Sequence, residues 1–156
     1  MKLKITMDKN SMKAARKAVS DTMAALTNTR KTTSRLAVVL YQSVQKNFTT
    51  QGTDTDKWKR LAPSTIAGRR KGKGGGSAKI LMDTGFMRAS ITPASTDTEA
   101  SVGLNGDMSR LGAIHQFGVS NAGRNRTTVI PARPFMVLRK EYEERIMEIA
   151  RGDLFK

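Results

Sequence analysis

The chain has 156 residues, no Cys, 38% hydrophobic and only 5% aromatic residues, and a formal net charge of +15 at pH 7. The missing thiols exclude disulfide scaffolds, thiolate zinc sites and cysteine nucleophiles, and they allow a reducing compartment. The length fits a single domain over residues 1–156, burying roughly two-thirds of its unfolded surface in a core of aliphatics, Ala and Met.

The opening MKLKITM alternates Met1, Leu3, Ile5 and Met7 with Lys2, Lys4 and Thr6, a period of two that predicts a short strand with one buried face. It has no apolar core of the kind a secretory signal carries. The longest strongly apolar stretch, residues 36–41, is far too short to span a bilayer. A soluble, non-secreted protein with no membrane partner is expected. From Ser11 the pattern becomes helical: Ala15, Val19, Met23 and Leu26, then Leu36, Leu40, Val44 and Phe48, fall near steps of three and four. The polar TNTRKTT at 27–33 is rich in β-branched Thr, which weakens helix propensity. The reading is therefore either one long bent helix to Phe48 or two helices meeting there.

Residues 49–56 are all polar and read as a loop. Trp58, Leu61 and Ile66 suggest a short helical turn, with Pro63-Ser64 as a break and restart. Residues 68–79 hold five of the thirteen Gly and five basic residues, and read as a flexible, exposed segment. Short apolar pieces at 90–92, 100–104 and 128–130, set between turn residues, predict strands of a small antiparallel sheet. A last helix is expected from Val137 to Arg151, with Leu138, Tyr142, Ile146 and Ile149 on its apolar face and Glu141–Arg145 as a supporting pair. The fold class is α+β: a long N-terminal helix, or bent helix pair, and a C-terminal helix packed on a small antiparallel sheet. Two such helices carry more apolar face than the sheet can cover, which predicts self-association.

Charge is unevenly spread. Residues 57–79 hold eight Lys or Arg and no acid, whereas residues 80–156 hold ten basic and nine acidic residues. The loop cations Arg69, Arg70, Lys71, Lys73 and Lys79, with Lys57, Lys59 and Arg60 beside them, suit a passing polyanion such as DNA or a docked acidic protein surface. A nucleic-acid binder that stacks bases would interleave aromatics among these charges, and only Trp58 lies at their edge.

Asp83-Thr84-Gly85, after the apolar Ile80-Leu81-Met82, reads like half of an aspartic protease site. That chemistry needs two carboxylates sharing a proton, and such folds are almost wholly β. The simpler reading is that Asp83 or Thr84 caps a short helix running through Arg88. The Gly-rich segment matches neither a P-loop nor a dinucleotide fingerprint in spacing. His115 has no metal-binding partners nearby in sequence and is expected to be partly buried and hydrogen-bonded. Asp54 and Asp56 lack the later Glu of a calcium loop. No catalytic, metal or cofactor constellation emerges.

The order of the remaining blocks is distinctive. Trp58-Lys59-Arg60-Leu61 with Ser64-Thr65, a basic run, Ile80 to Gly85 with Ser90-Ile91, Val102-Gly103-Leu104, Ala113 to Gly118 and Ile130-Pro131-Ala132-Arg133-Pro134-Phe135 together resemble the phage virion morphogenesis, or tail-completion, family, and especially its Mu-type members. The match spans about residues 48 to 136. Phe86-Met87 and Arg110-Leu111-Gly112 depart from the usual pattern. The resemblance implies an α+β fold, assembly as a ring, and a structural neck or tail-completion role joining a DNA-filled head to a tail. It implies portal, neck or tail proteins as partners and location in the virion after assembly in the host cytoplasm; non-specific contact with double-stranded DNA is the expectation from the basic segment. An assembly factor absent from the mature particle and a sequence-independent nucleic-acid-binding protein are the alternatives. The residues carrying the resemblance are Trp58, Leu61, Leu81, Gly85, His115, Gly118, Pro131, Arg133, Pro134 and Phe135. Pro131 removes a ladder donor and Arg133 precedes a proline, so this block belongs at a sheet edge or exit. Phe117 and Phe135 are expected to anchor the core.

Overall fold

A computed structural model describes residues 9–27, 29–71 and 78–154. The strand expected at 1–7 lies outside them. The helical run consists of two helices, α1 (Lys9–Thr27) and α2 (Thr29–Thr50). The Thr-rich stretch is the first part of α2, and its threonines are used. Thr32 and Thr33 are buried; Thr33 Oγ1 donates to the Thr96 carbonyl at 2.5 Å and Thr32 Oγ1 to Asp153 Oδ2 at 3.1 Å. Low helix propensity is offset here by tertiary hydrogen bonds at both hydroxyls.

Helix α2 is the central element. One side packs on an antiparallel hairpin, β1 (Ile91–Ser95) and β2 (Ala100–Leu104), and it also meets the C-terminal helix α6 (Lys140–Leu154). Pro93 sits opposite Val102 within β1, tolerated because both strands of a two-stranded sheet are edges. Helix α3 (Pro63–Lys71) begins at the proline, the favoured first helical position. Trp58 and Leu61 precede it in non-helical backbone, so the expected turn through Trp58, Leu61 and Ile66 is helical only in its last part.

The four-residue α4 (Phe86–Ala89) and the ten-residue α5 (Met108–Phe117) follow. A second, separate two-stranded sheet pairs β3 (Val119–Ala122) with β4 (Thr128–Ile130). There are thus two hairpins where one small sheet was expected. No helix among the described residues is long and apolar enough to cross a membrane.

The core is a cluster of Val44, Phe48, Trp58, Ile80, Leu81, Met87, Ile91 and Phe135, with Tyr41, Leu61, Val102 and Leu104 packed against it. Phe48 is its hub. Its ring meets Trp58 edge-on (centroids 5.6 Å apart, 83° between planes) and Phe135 at 5.4 Å, both within the range of favourable aromatic pairs.

Three expectations are overturned. Phe117 is 78% exposed at the C-terminal end of α5, where Gly118 closes the helix. Glu141 lies near Arg139 (3.5 Å) rather than Arg145, whose guanidinium instead donates to Gln42 Oε1 at 3.2 Å and ties α6 to α2. Helix α6 starts at Lys140 instead of Val137, since the Val137 carbonyl is held by α2 side chains.

Candidate assembly site

Residues Pro131 to Arg139 form an extended strap without regular structure until α6 begins. A segment of this kind must find partners for its backbone polar groups elsewhere, and three separate elements provide them. From α2, fully buried Asn47 donates its two amide protons to the Phe135 carbonyl (3.0 Å) and the Val137 carbonyl (2.8 Å). Buried Ser43 donates to the Val137 carbonyl at 3.3 Å and accepts the Arg139 N–H at 2.9 Å. From α5, Gln116 Oε1 accepts the N–H groups of both Phe135 and Met136 at 3.0 Å, and the His115 carbonyl accepts the Arg133 N–H at 2.7 Å. From the stretch before α3, Trp58 Nε1 donates to the Pro134 carbonyl at 2.8 Å.

The strap returns bonds of its own. Arg133, only 5% exposed, donates from Nε to the Lys59 carbonyl at 3.0 Å and from Nη2 to the Arg60 carbonyl at 3.4 Å. Arg139 binds Asp54 at 2.7 Å and donates to Asn47 Oδ1 at 3.2 Å. Arg133 thus serves as a staple made from carbonyl hydrogen bonds, with no carboxylate in an ion pair among the described residues.

Glycine is required where α5 crosses this strap. Gly118 has φ +75°, and a Cβ there would lie 2.7 Å from the Ala132 nitrogen and 2.9 Å from the Ile130 carbonyl oxygen. At buried Gly112 a Cβ would collide with the Leu104 side chain and come within 3.4 Å of Phe135. Leu81 adopts φ +57°, a left-handed conformation that its buried side chain holds in place.

Trp58, His115, Gly118, Pro131, Arg133, Pro134 and Phe135 therefore meet at one locus, with Leu61 and Leu81 in the adjoining core. Gly85, with φ +83° at the start of α4, joins Leu81 and His115 in lining an adjoining pocket. Asp83 does not cap that helix. Gly85 holds the N-cap position without a side-chain cap bond, the Thr84 hydroxyl accepts the Phe86 N–H at 3.5 Å, and the Asp83 carboxylate faces Arg69 Nε at 3.5 Å.

The basic segment also differs from expectation. Residues 68–71 complete α3 instead of forming a loop, and Arg69 turns inward: its Nη1 donates to the Lys79 carbonyl at 2.8 Å. An arginine on a helix next to glycines could still pack, because Gly68 borders open space and does not interrupt the turn. Lys59, Arg60 and Lys79 are exposed. The side chains of Arg70 and Lys71, and all of Lys73, lie outside the described residues.

Arg69, Asp83, Thr84 and His115 help line a small pocket of about 150 Å³ floored by Leu81, Met87 and Met108. His115 is half-buried as expected, but its buried Nδ1 finds no hydrogen-bond partner among the described residues. Burial first, then the charges of Arg133 and Arg69, lower its pKa below the ordinary imidazole value. No group of three His, Cys, Asp or Glu positioned for a metal occurs among the described residues.

Sequence reasoning missed Ser43, Asn47, Gln116 and Arg139. The available signal was the i,i+4 pair Ser43/Asn47 between Leu40 and Phe48, polar residues at the spacing of a buried stripe.

The model of the Phage virion morphogenesis family matches residues 10–154, from the start of α1 to the end of α6. The chain belongs to the phage virion morphogenesis family. Both terminal helices fall within that match, beyond the blocks at 48–136 that carry the resemblance in sequence. The chain is also similar to Mu-like prophage FluMu G protein 2 of Haemophilus influenzae, with 47% identity over 68 residues. That alignment covers 44% of this chain and 46% of the relative, so the match spans under half of the relative's length. No solved structure matches the chain.

Proposed function

We propose that this virion morphogenesis protein is a structural, non-enzymatic component of the head–tail junction, a neck or tail-completion protein that joins the DNA-filled head to the tail as an oligomeric ring. Family membership gives the morphogenesis role. The observation that supports a multi-copy assembly is apolar surface left uncovered on several elements of a tightly braced fold: Val19 on α1, Val38 on α2, Phe86 on α4, Phe117 on α5 and Val129 on β4. Exposed apolar groups distributed in this way favour association with other protein surfaces.

Its partners in this reading are further copies of itself, portal, neck or tail proteins, and double-stranded DNA met without sequence preference. Lys59, Arg60 and Lys79, with Arg70 and Lys71 of α3 and Lys73, would meet phosphates by charge alone. Arg69 drops out of that set because its guanidinium is engaged internally with Asp83 and Lys79. The protein assembles in the host cytoplasm and stays in the virion.

Mass spectrometry of purified virions, paired with native mass spectrometry of the isolated protein, tests this reading. The protein is expected in mature particles at several copies and in solution as a closed oligomer. Absence from mature particles would make it an assembly factor instead. A compact monomer at every concentration, with no ring in virions, would sink the ring.

A further inference from the structure

The geometry points to a specific contact between copies: the β3–β4 arm of one copy docks on the outer face of α6 of the next. This inference rests on the ring reading and names the two surfaces that would build it.

The arm is a two-stranded ribbon that forms its own sheet, and each of its strands packs mainly on the other. An isolated ribbon of this size is marginal in water. Its joint is firm, because Gly118 lies tight against Ile130 and Ala132. Its body is bare: Arg124 and Arg126 are exposed at the turn and Val129 is 67% exposed along β4. Neither arginine takes part in an ion pair among the described residues.

The complementary surface is on the same chain. Helix α6 turns Tyr142, Ile146 and Ile149 toward the body and presents Glu143, Glu144, Met147 and Glu148 outward. These four line a shallow groove of about 520 Å³ that ends at Lys140 and Arg151. None of the three carboxylates enters an ion pair or a side-chain hydrogen bond among the described residues. In a chain with 28 Lys and Arg against 13 Asp and Glu, unpaired acid gathered on one helix face stands out: four of the five glutamates lie on α6.

Both surfaces carry an exposed apolar side chain, Val129 on one and Met147 on the other, beside charges that are positive on the arm and, between the flanking Lys140 and Arg151, negative on α6. The occupant that fits is a second copy. Every copy brings both halves in equal number, and DNA would be repelled by the α6 glutamates. In the ring reading the contact runs head-to-tail, each copy giving its arm to one neighbour and its α6 face to the other, and repeating it generates a ring wherever the rotation closes. Opposed charges across such a contact also fix its register and exclude arm-to-arm pairing.

Charge reversal with exchange tests it on the full chain, read by analytical ultracentrifugation and native mass spectrometry. Circular dichroism serves as a folding check, since all five positions are exposed. Arg124→Glu with Arg126→Glu, and separately Glu143→Lys with Glu144→Lys and Glu148→Lys, should each weaken assembly about tenfold or more, roughly the size of losing close charge pairs. Mixing the two variants one to one should restore the wild-type oligomer, because each arm then meets a face of opposite sign. Unchanged assembly in both variants, with the wild type still oligomeric, overturns this contact and leaves the ring standing. Loss in both variants without rescue on mixing also overturns it, as does an arm variant that loses only DNA affinity. A wild type that is monomeric under all conditions overturns the ring and this contact together.

Discussion

Asn47 and Phe135, 88 residues apart in the chain, are joined by a buried hydrogen bond of 3.0 Å from the Asn47 amide to the Phe135 carbonyl. The same amide reaches Val137, and its oxygen accepts from Arg139. One side chain thereby satisfies three groups of the strap at once. Asn47→Leu keeps the size and deletes all three bonds, leaving the Phe135 carbonyl without its Asn47 donor and the Val137 carbonyl with only the 3.3 Å bond from Ser43. The expected loss is about 3 kcal/mol, the upper part of the range for stranding buried polar groups, measured by urea denaturation. A loss no larger than that of an exposed α2 substitution such as Lys46→Leu would show that the strap does not depend on this bond.

Two glycines should respond oppositely to alanine. At Gly112 the added methyl meets Leu104 and Phe135, and overpacking of this kind costs about 1–3 kcal/mol. At Gly68 the space is open and the backbone is helical, so Gly68→Ala should gain about 0.5–1 kcal/mol through helix propensity. Thermal melts of the two variants check the pair. Equal shifts of the same sign would contradict the packing described around α5.

The Asp83 carboxylate is half exposed and lies 3.5 Å from Arg69. With no cap to lose, Asp83→Asn should cost at most about 0.5 kcal/mol, as for other exposed pairs. Arg69→Ala removes an additional bond to the Lys79 carbonyl and should cost more. If the aspartate variant proves the more damaging, the pairing has been misassigned and a capping role returns.

Acid should weaken the fold through the chain's single histidine. The folded pKa of His115 is lowered, by burial first and then by Arg133 and Arg69, while the unfolded value is about 6.5. Above that pH both states hold a neutral imidazole, and the group contributes no pH dependence. Below it the unfolded chain takes up the proton that the folded chain resists, so stability falls until the folded pKa is passed. Denaturation at pH 7.5, 6.5 and 5.5 should show this decline in the wild type, and His115→Gln should flatten it. A variant with the same slope would assign the effect to other groups.

Much of the frame could be read from local pattern. The spacing of Val44 and Phe48 marked the buried side of α2, and Ala100 to Leu104 marked a strand, because period alone decides which face such residues take. Trp58, Arg133 and Phe135 stood out by their block order, though not by what they touch. Asn47 was not legible, since its burial depends on a strap that arrives 88 residues later. Phe117 was misjudged because an apolar residue at a helix end reads as core in the pattern, whereas its ring is left 78% exposed. Arg69 was hidden by the glycines around it, which suggested slack where a helix continues to Lys71.

The strap is also the last large piece of the body to leave the ribosome before α6. Its hydrogen-bond partners on α2, at Trp58 and on α5 are all made earlier, yet Phe48 and Trp58 cannot be sealed from water until Phe135 arrives. Long-range closure of this kind slows folding relative to a bundle of local contacts. A chain cut short before Phe135 therefore has no closed core.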